Sequence, residues 1–278
     1  MKRVRLGAVG YLNARPLVYG LERSTRFDLR FDVPSRCADL LHQDRIDIGL
    51  IPTIEYLRGR SDAGPHEADT YRIVPDLAIA SRGPVASVAL YTTRAVTEVR
   101  TIAMDTSSRT SVALVRVLCA RRFGIDPVLQ PRGPDLTSML SGCDAALLIG
   151  DNALFQQDGQ LTAPPRPLAV QKIDLGEVWT TMTGLPFVWA FWAGRPDRLV
   201  PDDMQALRRA RDAGVEASEP IARQYLADRP ERQAAGARYL RDNIKYYLGP
   251  DERAGLELFY RYAADAGVVE SAGPLRFY

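Results

Sequence analysis

Asp144-Ala145-Ala146-Leu147-Leu148-Ile149-Gly150-Asp151-Asn152-Ala153-Leu154 repeats, about a hundred residues later, the pattern of Asp47-Ile48-Gly49-Leu50-Ile51-Pro52-Thr53-Ile54-Glu55-Tyr56-Leu57. In each, an aspartate opens a short, nearly continuous apolar run that gives way at once to a helical pattern. A strand apolar on both faces is what a parallel sheet covered on both sides by helices requires. The likeness extends upstream. Residues 4–9 predict a strand, 16–21 a helix with proline in its first turn, 29–33 a strand and 34–44 an amphipathic helix. In the same order, 101–104 predict a strand, 111–122 a helix closed by Gly124, 128–130 a strand and 134–140 a helix. Strands and helices alternating in one order, twice, predict an α/β protein of two doubly wound lobes.

Two extended, β-rich segments stand where the chain would pass between the lobes: Ile79-Ala80-Ser81-Arg82-Gly83-Pro84-Val85-Ala86-Ser87-Val88-Ala89-Leu90-Tyr91, and Gly184-Leu185-Pro186-Phe187-Val188-Trp189-Ala190-Phe191-Trp192. They predict a two-stranded hinge that bends near Leu90 and Phe187. Lobe 1 is then residues 1–90 with 190–278, and lobe 2 is 91–189. From Pro201 on the chain reads as helices over 204–217, 221–226, 231–248 and 251–266, expected to return to lobe 1, with Pro274-Leu275-Arg276-Phe277-Tyr278 docked behind them. Two lobes joined by a double crossover are the layout of the type II periplasmic-binding-protein fold. Ligands of open α/β sheets sit at the carboxyl ends of the strands. Here those ends carry residues 10–13, Pro52-Thr53, 106–111 and 150–152, four loops that converge on one cleft.

The richest of these loops is Asp105-Thr106-Ser107-Ser108-Arg109-Thr110-Ser111. A strand that ends in hydroxyl residues and turns into a helix offers free backbone N–H groups and a positive dipole end, which suits a carboxylate or phosphate. A plain N-cap by Ser107 or Ser108 accounts for part of the same pattern.

Composition narrows the chemistry. With 278 residues and 46% hydrophobic content the chain can bury a full core. Its net charge is +2, with no basic run, so nothing points to nucleic acid. Lysines are confined to Lys2, Lys172 and Lys245, few candidates for Schiff-base chemistry. Cys37, Cys119 and Cys143 lack metal spacing and read as free thiols of a reducing compartment. With only His42 and His66, a multi-histidine metal centre is excluded, and His42 reads as a helix-surface residue. The start, Met1-Lys2-Arg3-Val4-Arg5-Leu6, lacks the apolar stretch of a signal peptide, and no run approaches the ~20 apolar residues of a membrane span. A cytoplasmic protein without a membrane partner is expected, and nothing in the sequence specifies an oligomeric state.

Gly10-Tyr11-Leu12-Asn13-Ala14-Arg15-Pro16-Leu17, the Asp47 to Tyr56 stretch, Ser108-Arg109-Thr110-Ser111, Ile149-Gly150-Asp151 and Thr183-Gly184-Leu185-Pro186-Phe187-Val188, in that order, resemble the chorismate dehydratases of the futalosine route to menaquinone. The likeness runs from the first strand to about Trp192. Thr53 stands where that family usually has serine, and Asn152 where it more often has proline. The sister family, which acts on a cyclic futalosine derivative to give a dihydroxynaphthoate, has a different N-terminal motif and anion loop. A non-catalytic small-anion binder of the same fold is the other alternative.

The resemblance implies loss of water from chorismate, a small dianion, to give 3-[(1-carboxyvinyl)oxy]benzoate, with no metal or organic cofactor. It also implies that Asn13 and Ser87 are the polar residues nearest the reacting carbons. Around the substrate it implies Tyr11, Arg15, Thr53, Thr106, Ser107, Ser108, Arg109, Thr110, Ser111, Gly150, Asp151, Thr183 and Gly184. Read without the resemblance, Ser87 is a hinge hydroxyl bonded to backbone and Asn13 a turn residue. The carboxylates near the cleft, Glu55, Asp105 and Asp151, each have a helix-terminal role available. No protein base stands out, so the expected base is the substrate's own enolpyruvyl carboxylate, with Arg109 anchoring the ring carboxylate.

Overall fold

The computed structural model describes residues 3–61, 70–156, 160–161 and 168–278; Lys2 and His66 lie outside them. The first half-repeat runs β1 (Val4–Val9), β2 (Phe27–Asp32), α1 (Pro34–His42), β3 (Ile48–Pro52), α2 (Thr53–Ser61) and β4 (Arg72–Ser81). The second runs β5 (Val88–Thr92), β6 (Thr101–Asp105), α3 (Arg109–Leu118), β7 (Val128–Arg132), α4 (Leu136–Gly142), β8 (Ala145–Ile149) and α5 (Gly150–Leu154). A short pair, β9 (Gln160–Leu161) and β10 (Leu168–Ala169), precedes β11 (Gln171–Asp174) and α6 (Leu175–Thr183). The chain then enters β12 (Phe187–Gly194) and ends in α7 (Pro201–Glu216), α8 (Ser218–Tyr225), α9 (Gln233–Arg238) and α10 (Pro250–Asp265).

Two five-stranded sheets result, ordered β2-β1-β3-β12-β4 and β7-β6-β8-β5-β11. In each, the three strands of the repeat are parallel, and the fourth place is taken by an antiparallel strand that has just crossed over: β12 in the first sheet, β5 in the second. The repeat read from the sequence is therefore real, and the fold is the two-lobed α/β one. All residues of β3, β5, β8 and β12 are buried, as continuous apolar runs require.

The crossings differ from the expected hinge. Ile79 to Ser81 does pair with residues 187–190, but inside the first sheet, with Phe187 opposite Ser81. Leu90 lies within β5 of the second sheet, so Val88 to Leu90 belong with lobe 2 and Phe187 to Trp189 with lobe 1. The chain changes sheet in the turns 82–87 and 184–186. The strand before the first turn also begins earlier than expected, at Arg72, because Pro75 and the left-handed Asp76 (φ 70°) break its pattern without ending it.

Three other expectations shift. Residues 12–18 and 21–23 form two 3₁₀ turns instead of one helix, because Gly20 is left-handed (φ 77°) between them. The helix expected over 231–248 ends in a π turn at Tyr239–Asn243. Beyond it Lys245 pairs with the outer edge of β4, exchanging two 2.8 Å hydrogen bonds with Ala80. The C-terminal tail is docked on the same edge, where the Tyr278 N–H donates to Ile73 O and the Ile73 N–H to Arg276 O. Finally, α10 packs on both β12 and α3, so the helical C-terminus straddles the lobes. It approaches so closely that a Cβ on Gly255 would sit 2.1 Å from Pro186 O, and Trp179, Phe187 and Phe259 lock α6, β12 and α10 edge to face.

Candidate active site

Where the two sheets face each other they line a small, partly open cavity of about 40 Å³. The carboxyl ends of the strands supply Val9, Pro52 and Ile149 to its wall; the loops beyond them supply Tyr11, Asn13, Ser108, Ser111 and Gly150. The first crossing adds Val85 and Ser87, and β12 adds Trp189. Six of the expected residues thus meet at one place: Tyr11, Asn13, Ser87, Ser108, Ser111 and Gly150. Gly150 must be glycine, since its φ is +62° and a Cβ would press on the Tyr11 ring at 2.9 Å.

Ser87 is presented by a strained turn. Ala86 before it has φ +63°, a conformation rare for a residue with a Cβ, and the Asp174 carboxylate holds it there by accepting from the Val85 and Ala86 N–H groups at 3.0 and 2.6 Å. The same carboxylate caps α6 through Gly176 and Glu177. Ser87 is 1% exposed, and its Oγ accepts from the Tyr239 hydroxyl at 2.7 Å. The backbone-bonded hydroxyl read from the sequence alone is replaced by a side-chain pair. Asn13 Oδ1 is buried without a hydrogen-bond partner, an acceptor left open beside the cavity.

The serine-rich loop is partly a cap and partly available. Ser108 is the N-cap of α3, accepting weakly from Ser111 N at 3.5 Å, and the two hydroxyls lie 3.0 Å apart. Ser107 N–H and Oγ both donate to Asp105 Oδ1, and Ser107 Oγ is 3.3 Å from the Tyr11 hydroxyl. Thr106 is exposed and away from the cavity.

Arg109 is not an open anion anchor. Its two terminal nitrogens donate to Asp39 at 2.8 Å and Glu55 at 2.9 Å, tying the second lobe to the first. Thr53 and Thr110 also serve the lobe interface: Thr53 donates to Val188 O, and Thr110 Oγ1 lies 3.3 Å from Thr53 Oγ1 and accepts from Ile54 N. Both are fully buried outside the cavity wall.

The remaining expected residues stand behind the cavity. Asp151 accepts from Leu12 N–H with one oxygen and from the Tyr225 hydroxyl with the other. Burial pushes its carboxyl above the ordinary range, more than Tyr225, the Leu12 N–H and Arg15 pull it down. Arg15 is sandwiched between the Phe31 and Tyr225 rings, 4.2 and 4.8 Å from their centroids, and donates to Gly10 O. Thr183 and Gly184 end α6: Thr183 donates to Trp179 O, and Gly184 takes the left-handed cap position at φ 73°. They shape the second crossing and do not reach the cavity.

A family model described as menaquinone biosynthesis matches residues 4–265. The chain belongs to this menaquinone-biosynthesis family. A chorismate dehydratase from Thermus thermophilus is 31% identical over 268 residues, 93% of this chain and 94% of the relative. Among solved structures, a protein from Archaeoglobus fulgidus superposes with a TM-score of 0.73 at 16% identity, covering 96% of this chain and 98% of its own. The periplasmic aliphatic sulphonate binding protein of Escherichia coli gives 0.64 at 13%, covering 100% and 94%. Both show the fold.

In this member of the menaquinone-biosynthesis family, the residues not expected at the site include Pro34 and Trp189 on the wall, and Tyr225 and Tyr239 behind it. Trp189 lay in a quoted segment and could have been found from its polar ring nitrogen in an apolar strand; it donates to Ser81 Oγ at 3.1 Å. Among the described residues, no group of three or more His, Cys, Asp or Glu side chains could hold a metal ion, and no helix is long and apolar enough to cross a membrane.

Proposed function

We propose that the protein is a chorismate dehydratase of menaquinone biosynthesis, a hydro-lyase that converts chorismate to 3-[(1-carboxyvinyl)oxy]benzoate and water. The chemistry named in its Thermus relative supports this reading, and one observation in the site carries it. The cavity brings together an open acceptor, Asn13 Oδ1, and a hydroxyl on a strained turn, Ser87, while none of its described lining residues is an acid, a histidine or a lysine. Such a site can align and share hydrogen bonds but cannot by itself take a proton from carbon.

The substrate supplies what the wall lacks. Its enolpyruvyl carboxylate takes the C3 proton, the C3 electron pair forms the new ring double bond, and the C4 hydroxyl leaves and acquires that proton to become water. Aromatisation drives the step, so the protein's part is to position the groups and exclude bulk water. Ser87 donates to the departing oxygen, Asn13 Oδ1 accepts from the same hydroxyl beforehand, and Ser108 and Ser111 with the first N–H groups of α3 receive the ring carboxylate. The three cysteines are free and buried, which supports a reducing, cytoplasmic setting.

Purified protein incubated with chorismate alone is expected to release the aromatic product. No product under those conditions overturns the assignment.

A cavity of about 40 Å³ is far below the ~300–1,000 Å³ of ordinary ligand pockets, so the lobes must part to admit chorismate. The turns 82–87 and 184–186 are the places for that motion. Small-angle scattering is expected to show a more extended free protein that compacts on adding a product analogue; identical profiles would argue against closure.

A further inference from the structure

Tyr239 sits in the π turn after α9, in a helical region that carries no recognisable motif, yet it reaches the cavity's most constrained hydroxyl. Its phenol is fully buried and donates to Ser87 Oγ at 2.7 Å. A hydroxyl has one proton and can accept on its lone pairs. Because Ser87 accepts from Tyr239, the Ser87 proton remains for whatever enters the cavity.

We propose that Tyr239 is a positioning residue that gives the site its polarity: hydrogen bonds run one way, from Tyr239 to Ser87 to substrate. This arrangement fixes Ser87 as the donor toward the cavity, beside the open acceptor Asn13 Oδ1. The inference rests on the dehydratase reading above. Burial raises the phenol's pKa well above that of a free tyrosine, so the phenol keeps the proton that it donates. Each link strengthens the next in a low-dielectric interior. Without the phenol, Ser87 can turn its proton away from the cavity and present the substrate with a lone pair instead.

Tyr246 provides an internal control. It lies seven residues on, is equally buried, and its hydroxyl makes no hydrogen bond. Wild-type turnover of chorismate is measured first, and its absence overturns the dehydratase reading whatever the variants do. With turnover present, Tyr239→Phe is expected to lower kcat about ten- to a hundredfold, the rate equivalent of one buried hydrogen bond, with KM changed less than about threefold. Tyr246→Phe is expected to leave both constants unchanged. In a Ser87→Ala background, Tyr239→Phe is expected to cost nothing further, since its effect passes through Ser87. 3-Fluorotyrosine at position 239, a stronger donor of nearly the same shape, is expected to raise kcat with KM unchanged and keeps the test available if Tyr239→Phe does not fold. A normal kcat in Tyr239→Phe, or a loss that adds in full to that of Ser87→Ala, overturns the proposal. If Tyr239→Phe does not fold, an unchanged kcat with 3-fluorotyrosine at position 239 overturns it.

Discussion

Chorismate whose enolpyruvyl carboxylate is converted to an amide is expected to bind and not to eliminate, its turnover falling on the order of 10⁴-fold or more. A base tethered a few bonds from the proton it removes acts at an effective molarity of ~10⁵ M or above, and an amide has no comparable basicity. Of the three carboxylates near the cavity none lines it; Asp105 accepts from Ser107 N–H and Oγ with one oxygen and has the other buried without a partner, so Asp105→Asn belongs among the carboxamide controls. Both oxygens of Glu55 are held, one by Arg58 at 2.7 Å and the other by Arg109 and His42. Both oxygens of Asp151 are held by Leu12 N–H and Tyr225. Asp151→Asn is therefore expected to keep turnover within a few-fold of wild type, and folded Glu55→Gln to do the same. Normal elimination of the amide, together with a dead carboxamide variant, would assign the base to the enzyme and sink this mechanism.

Glu55→Gln should nevertheless be the most damaging conservative change to stability, by roughly 3 kcal/mol, at the lower end of the ~3–5 kcal/mol that breaking a buried ion pair costs. Glu55 is 2% exposed in the first turn of α2, where it gathers Arg58, Arg109 and His42. The low end applies because Arg109 retains Asp39, and Arg58 is half exposed. For a chain of this size the melting temperature should fall by about 5–10 °C. The effect has a pH signature. Burial pushes the Glu55 carboxyl up, but the His42 hydrogen bond and the charges of Arg109 and Arg58 outweigh it and hold it below the usual carboxylate range. A carboxylate depressed in the folded state stabilises fully above its unfolded pKa and loses that contribution as pH falls through its folded one. The gap between wild type and Glu55→Gln should thus be widest at neutral pH and close well below the ordinary carboxylate range. A gap independent of pH in thermal melts would contradict this account.

Arg109 also shows where reading a sequence stops. Its place in a hydroxyl-rich loop at a helix start suggested an anion anchor, because local chemistry is what a sequence displays. Asp39 and Glu55, which occupy it, come from the other lobe, and no spacing rule reveals that pairing. What could be read was periodic or local: the repeated strand-helix order, the apolar β3 and β8, and the cap at Ser108. Asn13 and Ser87 were named by the resemblance alone, and both line the one cavity, although the strained Ala86 that presents Ser87 leaves no trace in composition. Tyr239 was illegible because in an amphipathic helical stretch a tyrosine reads only as core, and its hydroxyl acquires meaning once Ser87 is folded against it.

The interleaving of strands fixes an order of assembly. The second sheet is drawn entirely from residues 88–174, whereas β4 joins the first sheet only through β12, which begins at Phe187. During synthesis at about 5–20 residues per second, on the order of ten seconds separates the appearance of β4 from that of its partner. The half of the molecule made first must therefore wait for the half made second, with β3 presenting an open edge meanwhile. A nascent chain halted before residue 187 carries the strands of a complete second sheet beside an unfinished first one.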